Sequence, residues 1–359
     1  MIDLRSDVCA VPTDAMWEAM REAELGWAPV GEDASVNLLC ERVAAMLGKA
    51  AAIWVPTCGM GNLAAMLTFC SPGDRVVLEA ASYVLSPGSP GITEIARLEP
   101  RPIWAEDGRL DPGHVEHMIA EEQAALLILE NTHARAGGTT LSAELTEALA
   151  AAAKRHYCRI HIDGARLVNA SVFLGVPLAE LAAPANSVVL SLNRGLSGPF
   201  GAVLAGSVEV VERVRLMLDR LGGSTVHHAG LSAAAGLVAL ETMVERIADD
   251  HRRARQLAAM ISGIPGVALR PELVETNIVF ADVAETGIAS DELVSLLHRA
   301  GVRVMERDST RIRLVTHRLI RDEDVERAAA IIADVVEQHS VPLLVLPEVP
   351  GEWDWEKED

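Results

Sequence analysis

The chain has 359 residues, 50% of them hydrophobic, with 51 acidic and 31 basic side chains giving a formal net charge of −20. That length supports a large core in roughly one to three domains, and 23% charged residues is ordinary for a soluble folded protein. An acidic surface repels phosphate backbones and anionic lipid, which makes nucleic acid and membranes poor partners.

Met1 to Ala10 lacks a basic segment followed by an apolar run, so it does not read as a signal peptide. No stretch approaches the ~18 uncharged apolar residues of a membrane span. Cys9, Cys40, Cys58, Cys70 and Cys158 are odd in number and lack CxxC spacing, which fits a cytoplasmic chain with reduced, buried thiols. Along the chain, short apolar runs at 51–57, 75–80, 125–130, 159–163, 187–192 and 202–204 predict strands. Helical patterns such as 62–70 and 144–156 lie between them, and the alternation predicts an α/β unit with a mostly parallel sheet covered on both faces. The segment 229–260 reads as one long helix. Beyond it, strands at 277–281, 302–306 and 311–315, a hairpin around Asp308-Ser309, and helices at 290–300 and 321–337 predict a smaller α+β unit. The expected division is a large domain over 1–245, a small C-terminal α+β domain over 246–340 and an acidic tail over 341–359.

Ligands of open parallel sheets bind beyond the carboxyl ends of the strands. His161-Ile162-Asp163-Gly164-Ala165-Arg166 ends a predicted strand, with His161 and Asp163 on one face. A buried aspartate there needs a partner such as a protonated ring nitrogen, and Arg166 on the exit loop could fork onto a carboxylate. Taken alone, the motif reads equally well as a salt-bridged strand end. It is accompanied by Asp3-Leu4-Arg5-Ser6-Asp7, Gly31-Glu32-Asp33 before Val36-Asn37, Glu130-Asn131-Thr132-His133 and Arg313-Leu314-Val315-Thr316-His317.

In this order and spacing the motifs resemble the threonine aldolases and related β-eliminating lyases, over roughly residues 1–335. The resemblance implies the fold-type I architecture of pyridoxal-phosphate (PLP) enzymes: an aminotransferase-like large domain with a seven-stranded, mostly parallel sheet, and a small C-terminal domain. It also implies a homodimer or homotetramer with sites at subunit interfaces. On the same basis Asp163 would pair with the cofactor's pyridine nitrogen. Ser6, Arg166 and Arg313 would hold the substrate carboxylate, and His133 would sit near the substrate's β-hydroxyl.

The chain departs from the family around the cofactor. The family holds PLP as a Schiff base to lysine in a Ser-x-x-Lys-Gly pattern, whereas this chain has Ser191-Leu192-Asn193-Arg194-Gly195. A guanidinium stays protonated and is not a useful imine-forming amine. The only lysines are Lys49, Lys154 and Lys357, and none reads as a site residue. Ser82 stands where the family has a ring-stacking histidine, Cys58-Gly59 where it has a phosphate-cradling Gly-Thr, and His227, followed by His228, where it has a phosphate-binding arginine. A glycine-rich helix start can still bind an anion. These departures set the expectation against covalent PLP and against PLP altogether.

Three readings follow. The first is an enzyme acting on an amino acid or small carboxylate without a PLP Schiff base. His133, Asp163, Arg194, His227 and His228 would then line the vacated pocket, with a histidine as general base. The second is a catalytically silent relative that binds a small molecule or a partner subunit. The third is lyase chemistry on a β-hydroxy amino acid with noncovalent PLP. The Ser6–Arg166–Arg313 clamp is retained in all three, its competing explanation being salt bridges to Asp7 or Glu32. The histidines at 133, 161 and 317 are family positions, so no metal is expected.

Overall fold

The computed structural model describes residues 1–86, 88 and 91–340. The predicted acidic tail, with Lys357, and part of the loop after Ser86 lie outside the described residues. Twelve strands are formed among them: β1 (Ile2–Asp3), β2 (Ala51–Val55), β3 (Arg75–Glu79), β4 (Glu99–Ile103), β5 (Leu126–Glu130), β6 (Arg159–Gly164), β7 (Ser187–Ser191), β8 (Ala202–Gly206), β9 (Ile278–Asp282), β10 (Val302–Arg303), β11 (Met305–Glu306) and β12 (Arg311–Val315).

Seven strands form the large sheet in the order β2-β8-β7-β6-β5-β3-β4, with β8 alone reversed. The architecture is α/β, fold-type I and aminotransferase-like. Its central strands are apolar because both faces are covered. In β7, Val188 and Leu190 face the core built with Leu149 and Leu167, whereas Val189 faces the one built with Ala64, Ala65 and Val211. This is period-two alternation with both sides buried. Strand β4 was not predicted. Its sequence, Glu-Pro-Arg-Pro-Ile, carries two prolines, which an edge strand paired only to β3 tolerates.

The smaller sheet is antiparallel, in the order β11-β12-β9. Helices Ile247–Ile261, Ser290–Ala300 and Asp322–His339 pack on it through Leu257, Leu297 and Ile332. The single helix expected over 229–260 is two helices, Gly230–Thr242 and Ile247–Ile261. Ala233, Ala235 and Ala239 pack in the large core, while Ala254, Leu257 and Ala258 pack in the small one, so the chain turns between them.

The N-terminus joins the small core. Strand β1 pairs in parallel with β10, Leu4 is fully buried, and the Leu4 carbonyl accepts the Val315 N–H at 2.7 Å. That strap fixes where Ser6 and Asp7 emerge. No helix among the described residues is long and apolar enough to cross a membrane.

Candidate active site

The carboxyl ends of five strands of the large sheet meet at a cavity of about 290 Å³. Thr57, Cys58 and Gly59 enter after β2, Tyr83 after β3, Glu130 and Thr132 from β5, Asp163 and Arg166 from β6, and Ser191, Asn193 and Arg194 from β7. This is the position at which open α/β sheets bind ligands.

Asp163 is buried. Its Oδ2 accepts from Asn62 Nδ2 at 2.6 Å and its Oδ1 from the Ala165 amide at 3.1 Å. The Asn62 Oδ1 lies 2.9 Å from His161 Nε2, and His161 Nδ1 lies 2.7 Å from Ser187 Oγ. With the Asn62 amide donating to Asp163, the network assigns the His161 proton to Nε2 and makes Nδ1 the acceptor from Ser187. Burial depresses the His161 pKa to about 3, so the ring is neutral. Burial raises the Asp163 carboxyl above the usual range, and the charge of Glu130 adds to this. The result is an oriented carboxylate at the cavity that a cationic partner would stabilise.

Three arginines stand near Asp7. Arg166 forks onto Asp7, with Nε to Oδ2 and Nη2 to Oδ1 both 2.7 Å, and both residues are buried. Burial opposes ionisation of Asp7, but Arg166, with smaller contributions from Arg194 and Arg313, holds its carboxyl well below the usual range. Asn277 Nδ2 reaches Asp7 Oδ2 at 3.3 Å, and Ser6 Oγ reaches Asp7 Oδ1 at 3.4 Å. Arg313 donates through Nη1 to the Arg5 carbonyl at 3.2 Å. Burial and the charge of Arg166 lower its pKa to about 10. Arg194 has a buried Nε without a partner among the described residues.

Ser6, Arg166 and Arg313 are therefore gathered around Asp7, as is Arg194. Arg166, however, is already held by Asp7, while Glu32, the other acidic residue weighed for the clamp, is exposed beside a separate cavity.

The predicted histidines are not gathered. His227 and His228 are exposed and border that separate cavity with Leu25, Trp27 and Glu32. His133 is buried, with Nε2 2.9 Å from Glu79 Oε2 but not aligned as a hydrogen bond. Burial lowers its pKa, but Glu130 and Glu79 outweigh that and hold it above the ordinary value. Its neighbours Thr132 and Ala134 line the cavity in its place.

Several contributions were missed in the sequence. Ser82 turns its hydroxyl to Glu130 Oε2 at 3.3 Å, and the next residue, the aromatic Tyr83, lines the wall. Thr57 supplies a hydroxyl ahead of Cys58-Gly59 and caps the helix Cys58–Phe69 by accepting from Met60 N at 3.1 Å. Asn62 lies one turn into that helix, and no local signal shows that it meets a carboxylate 101 residues away. The Cys58 thiol is pushed up to about 12 by burial and by Asp163, so it is not a thiolate nucleophile.

These residues fit PLP. Asp163 offers a buried carboxylate for a ring cation, Tyr83 an aromatic wall, and Thr57 and Gly59 a helix N-terminus for a phosphate. Neither described lysine lines the cavity. Lys49 donates to the carbonyls of Ala183 and Ala185 at the opposite end of the sheet, and Lys154 pairs with Glu147 at 3.6 Å. Among the described residues no set of three or more His, Cys, Asp or Glu side chains gathers as metal ligands.

The β-eliminating lyase family model matches residues 3–286. The chain is 37% identical over 334 residues to low-specificity L-threonine aldolase 1 of Arabidopsis thaliana, covering 90% of this chain and 93% of that protein. In structure it is similar to a threonine aldolase of Leishmania major, with a TM-score of 0.77 at 17% identity over 94% of this chain and 100% of the other. It is also similar to an aspartate aminotransferase of Rhodobacter sphaeroides, with a TM-score of 0.73 at 20% identity over 94% and 92%. The expectation against PLP is corrected by these findings. Near-complete coverage by relatives from a PLP-using family, together with a cavity whose residues fit that group, removes the ground for a PLP-independent protein. By the family match over most of its length and its identity to a threonine aldolase, this chain belongs to the β-eliminating lyase family.

Proposed function

We propose that this chain is a lyase of the threonine aldolase type that takes up PLP and a β-hydroxy amino acid in the Asp163 cavity, with no covalent link between chain and cofactor. The observation that carries this reading is Arg194, which lines the cavity where the family pattern has its lysine, while Lys49 and Lys154 lie elsewhere. When bound, PLP supplies the electron sink that such bond cleavage needs.

The remaining roles belong to the chain. Asp163, oriented by Asn62 and neutral His161, offers negative charge at a fixed point. Arg313 offers a guanidinium to the amino acid carboxylate, beside the Arg166–Asp7 pair. Thr132 Oγ1 is buried without a partner among the described residues and suits the substrate hydroxyl. Arg194 cannot shuttle a proton as a lysine can, because its guanidinium stays charged. The exposed apolar residues Val11, Trp17, Leu25, Trp27, Val30 and Leu38 support a homo-oligomer as the working unit.

The test is glycine and acetaldehyde release from L-threonine and L-allo-threonine, with and without added PLP. The expected result is cleavage that depends on PLP and exceeds that of free PLP. Replacing Arg194→Lys should raise the rate by roughly 10²-fold, the scale of one general-base contribution. PLP retained without any cleavage would favour the catalytically silent reading. Neither retention nor cleavage would sink both.

A further inference from the structure

Arg166 and Arg194 line the cavity, and Arg313 stands beside the Arg166–Asp7 pair. Arg166 is neutralised by Asp7 through two 2.7 Å bonds. Glu130 neutralises none of the others. Its Oε2 accepts from the Tyr83 amide at 2.7 Å and from Ser82 Oγ, and its Oε1 accepts from the Ala134 amide at 3.0 Å. Asp163 accepts from Asn62 and Ala165 and forms no ion pair with an arginine among the described residues.

Arg313 and Arg194 are thus left without a carboxylate partner among the described residues. Burial lowers the Arg313 pKa and the charges of Arg166, Arg194 and Arg135 add to this, while Asp7 acts in the opposite direction. The buried Arg194 Nε has no hydrogen-bond partner among the described residues, and because Arg194 lines the cavity a ligand anion there would complete it. One carboxylate on Arg313 leaves Arg194 still unpaired. The helix start at Thr57-Cys58-Gly59 already provides a phosphate with backbone donors. The planar fork of an arginine matches a carboxylate in two-pronged geometry, which an ammonium does not.

We propose that Arg194 makes the site favour an amino acid with a second carboxylate on its side chain, so that a β-hydroxy dicarboxylic amino acid binds in preference to threonine. This rests on the proposed amino acid site of the Asp163 cavity. Arg194 is then a specificity-determining residue. It reads the distal carboxylate while Arg313 holds the α-carboxylate, and binding of the dianion neutralises both guanidinium groups.

The experiment is calorimetric titration of the PLP-equilibrated protein with aspartate and with asparagine. The two have nearly the same shape, differ in side-chain charge, and lack the hydroxyl needed for cleavage. The wild-type protein should bind aspartate roughly tenfold to a hundredfold more tightly than asparagine, the range expected of charge-assisted hydrogen bonds. In Arg194→Gln the ratio of the two affinities should fall to near one. Equal affinities in the wild type would overturn the proposal while leaving the amino acid site standing. A ratio unchanged in Arg194→Gln would overturn it by assigning the selectivity to another residue. Binding of neither ligand would overturn it together with the amino acid site on which it rests.

Discussion

Asp163 illustrates how a site residue taxes the fold that holds it. Its native pKa is raised by burial and by Glu130, whereas in the unfolded chain it titrates near the ordinary value of about 4. The native state therefore keeps the proton in a range where the unfolded state releases it. The stability associated with this group is greatest below pH ~4 and declines as pH rises through the native pKa. Each unit of the shift corresponds to about 1.4 kcal/mol. Asp163→Asn in the ligand-free protein should remove that decline, so variant and wild type differ by roughly 1–3 kcal/mol more at pH 7–8 than at pH 4. Denaturant midpoints across this pH range would check it, and parallel profiles would contradict it.

Asp7 has the opposite sign. Its depressed pKa stabilises the native state at neutral pH, and this is lost as pH falls below the ordinary carboxylate range. Asp7→Ala, which leaves Arg166 buried without its partner, should cost about 3–5 kcal/mol in denaturant titration. At this scale the sequence placed Asp163, Arg166 and Arg194 at strand exits in a recognisable motif, and all three line the cavity. It did not reveal Asn62 or Tyr83. Asn62 meets its partner only through the packing of a helix on the sheet, and a one-residue offset decides whether Ser82 or Tyr83 faces the cavity.

At the scale of elements, the N-terminal strap connects the small sheet to the cavity. Strand β1 pairs with β10, Leu4 anchors in the small core, and two residues later Ser6-Asp7 meets Arg166. Leu4→Ala should cost about 2–5 kcal/mol, as for a fully buried leucine. It should also speed hydrogen exchange of the Val315 amide, which the Leu4 carbonyl accepts. Unchanged exchange there would mean that the strap is held by its hydrogen bonds and not by the Leu4 anchor. The apolar central strands were legible because a sheet buried on both faces leaves runs such as Val188-Val189-Leu190. Strand β4 was not, because prolines suppress the strand signal at an edge. The turn at Met243 to Arg246 was missed because both flanking segments have strong helical patterns. Only their allegiance to separate cores separates them.

For the whole molecule, the net charge is −20, while Arg166 and Arg194 line the cavity. A molecule of that charge does not attract anions from a distance, so selection for an anionic substrate rests on short-range pairing inside the cavity. The basic residues are nearly all arginine, with Lys49, Lys154 and Lys357 the only amines on side chains. Burial lowers the Lys49 pKa to about 8, but it lies at the far end of the sheet from Asp163. The resemblance to PLP enzymes was carried by motifs from both ends of the chain. The inference that four changed positions together meant a lost cofactor failed because it did not weigh the residues beside them. Thr57 and Tyr83, adjacent in sequence to two of the altered positions, line the same cavity.

The most direct test is to equilibrate the protein with PLP, remove the excess, reduce with borohydride, and then denature the chain and measure its mass. Bound PLP held without a chain linkage should be present before denaturation by its absorbance and absent from the denatured chain, whose mass stays that of the bare polypeptide. A stoichiometric phosphopyridoxyl adduct on Lys49, Lys154 or Lys357 would contradict the account, as would failure to retain PLP in the folded protein.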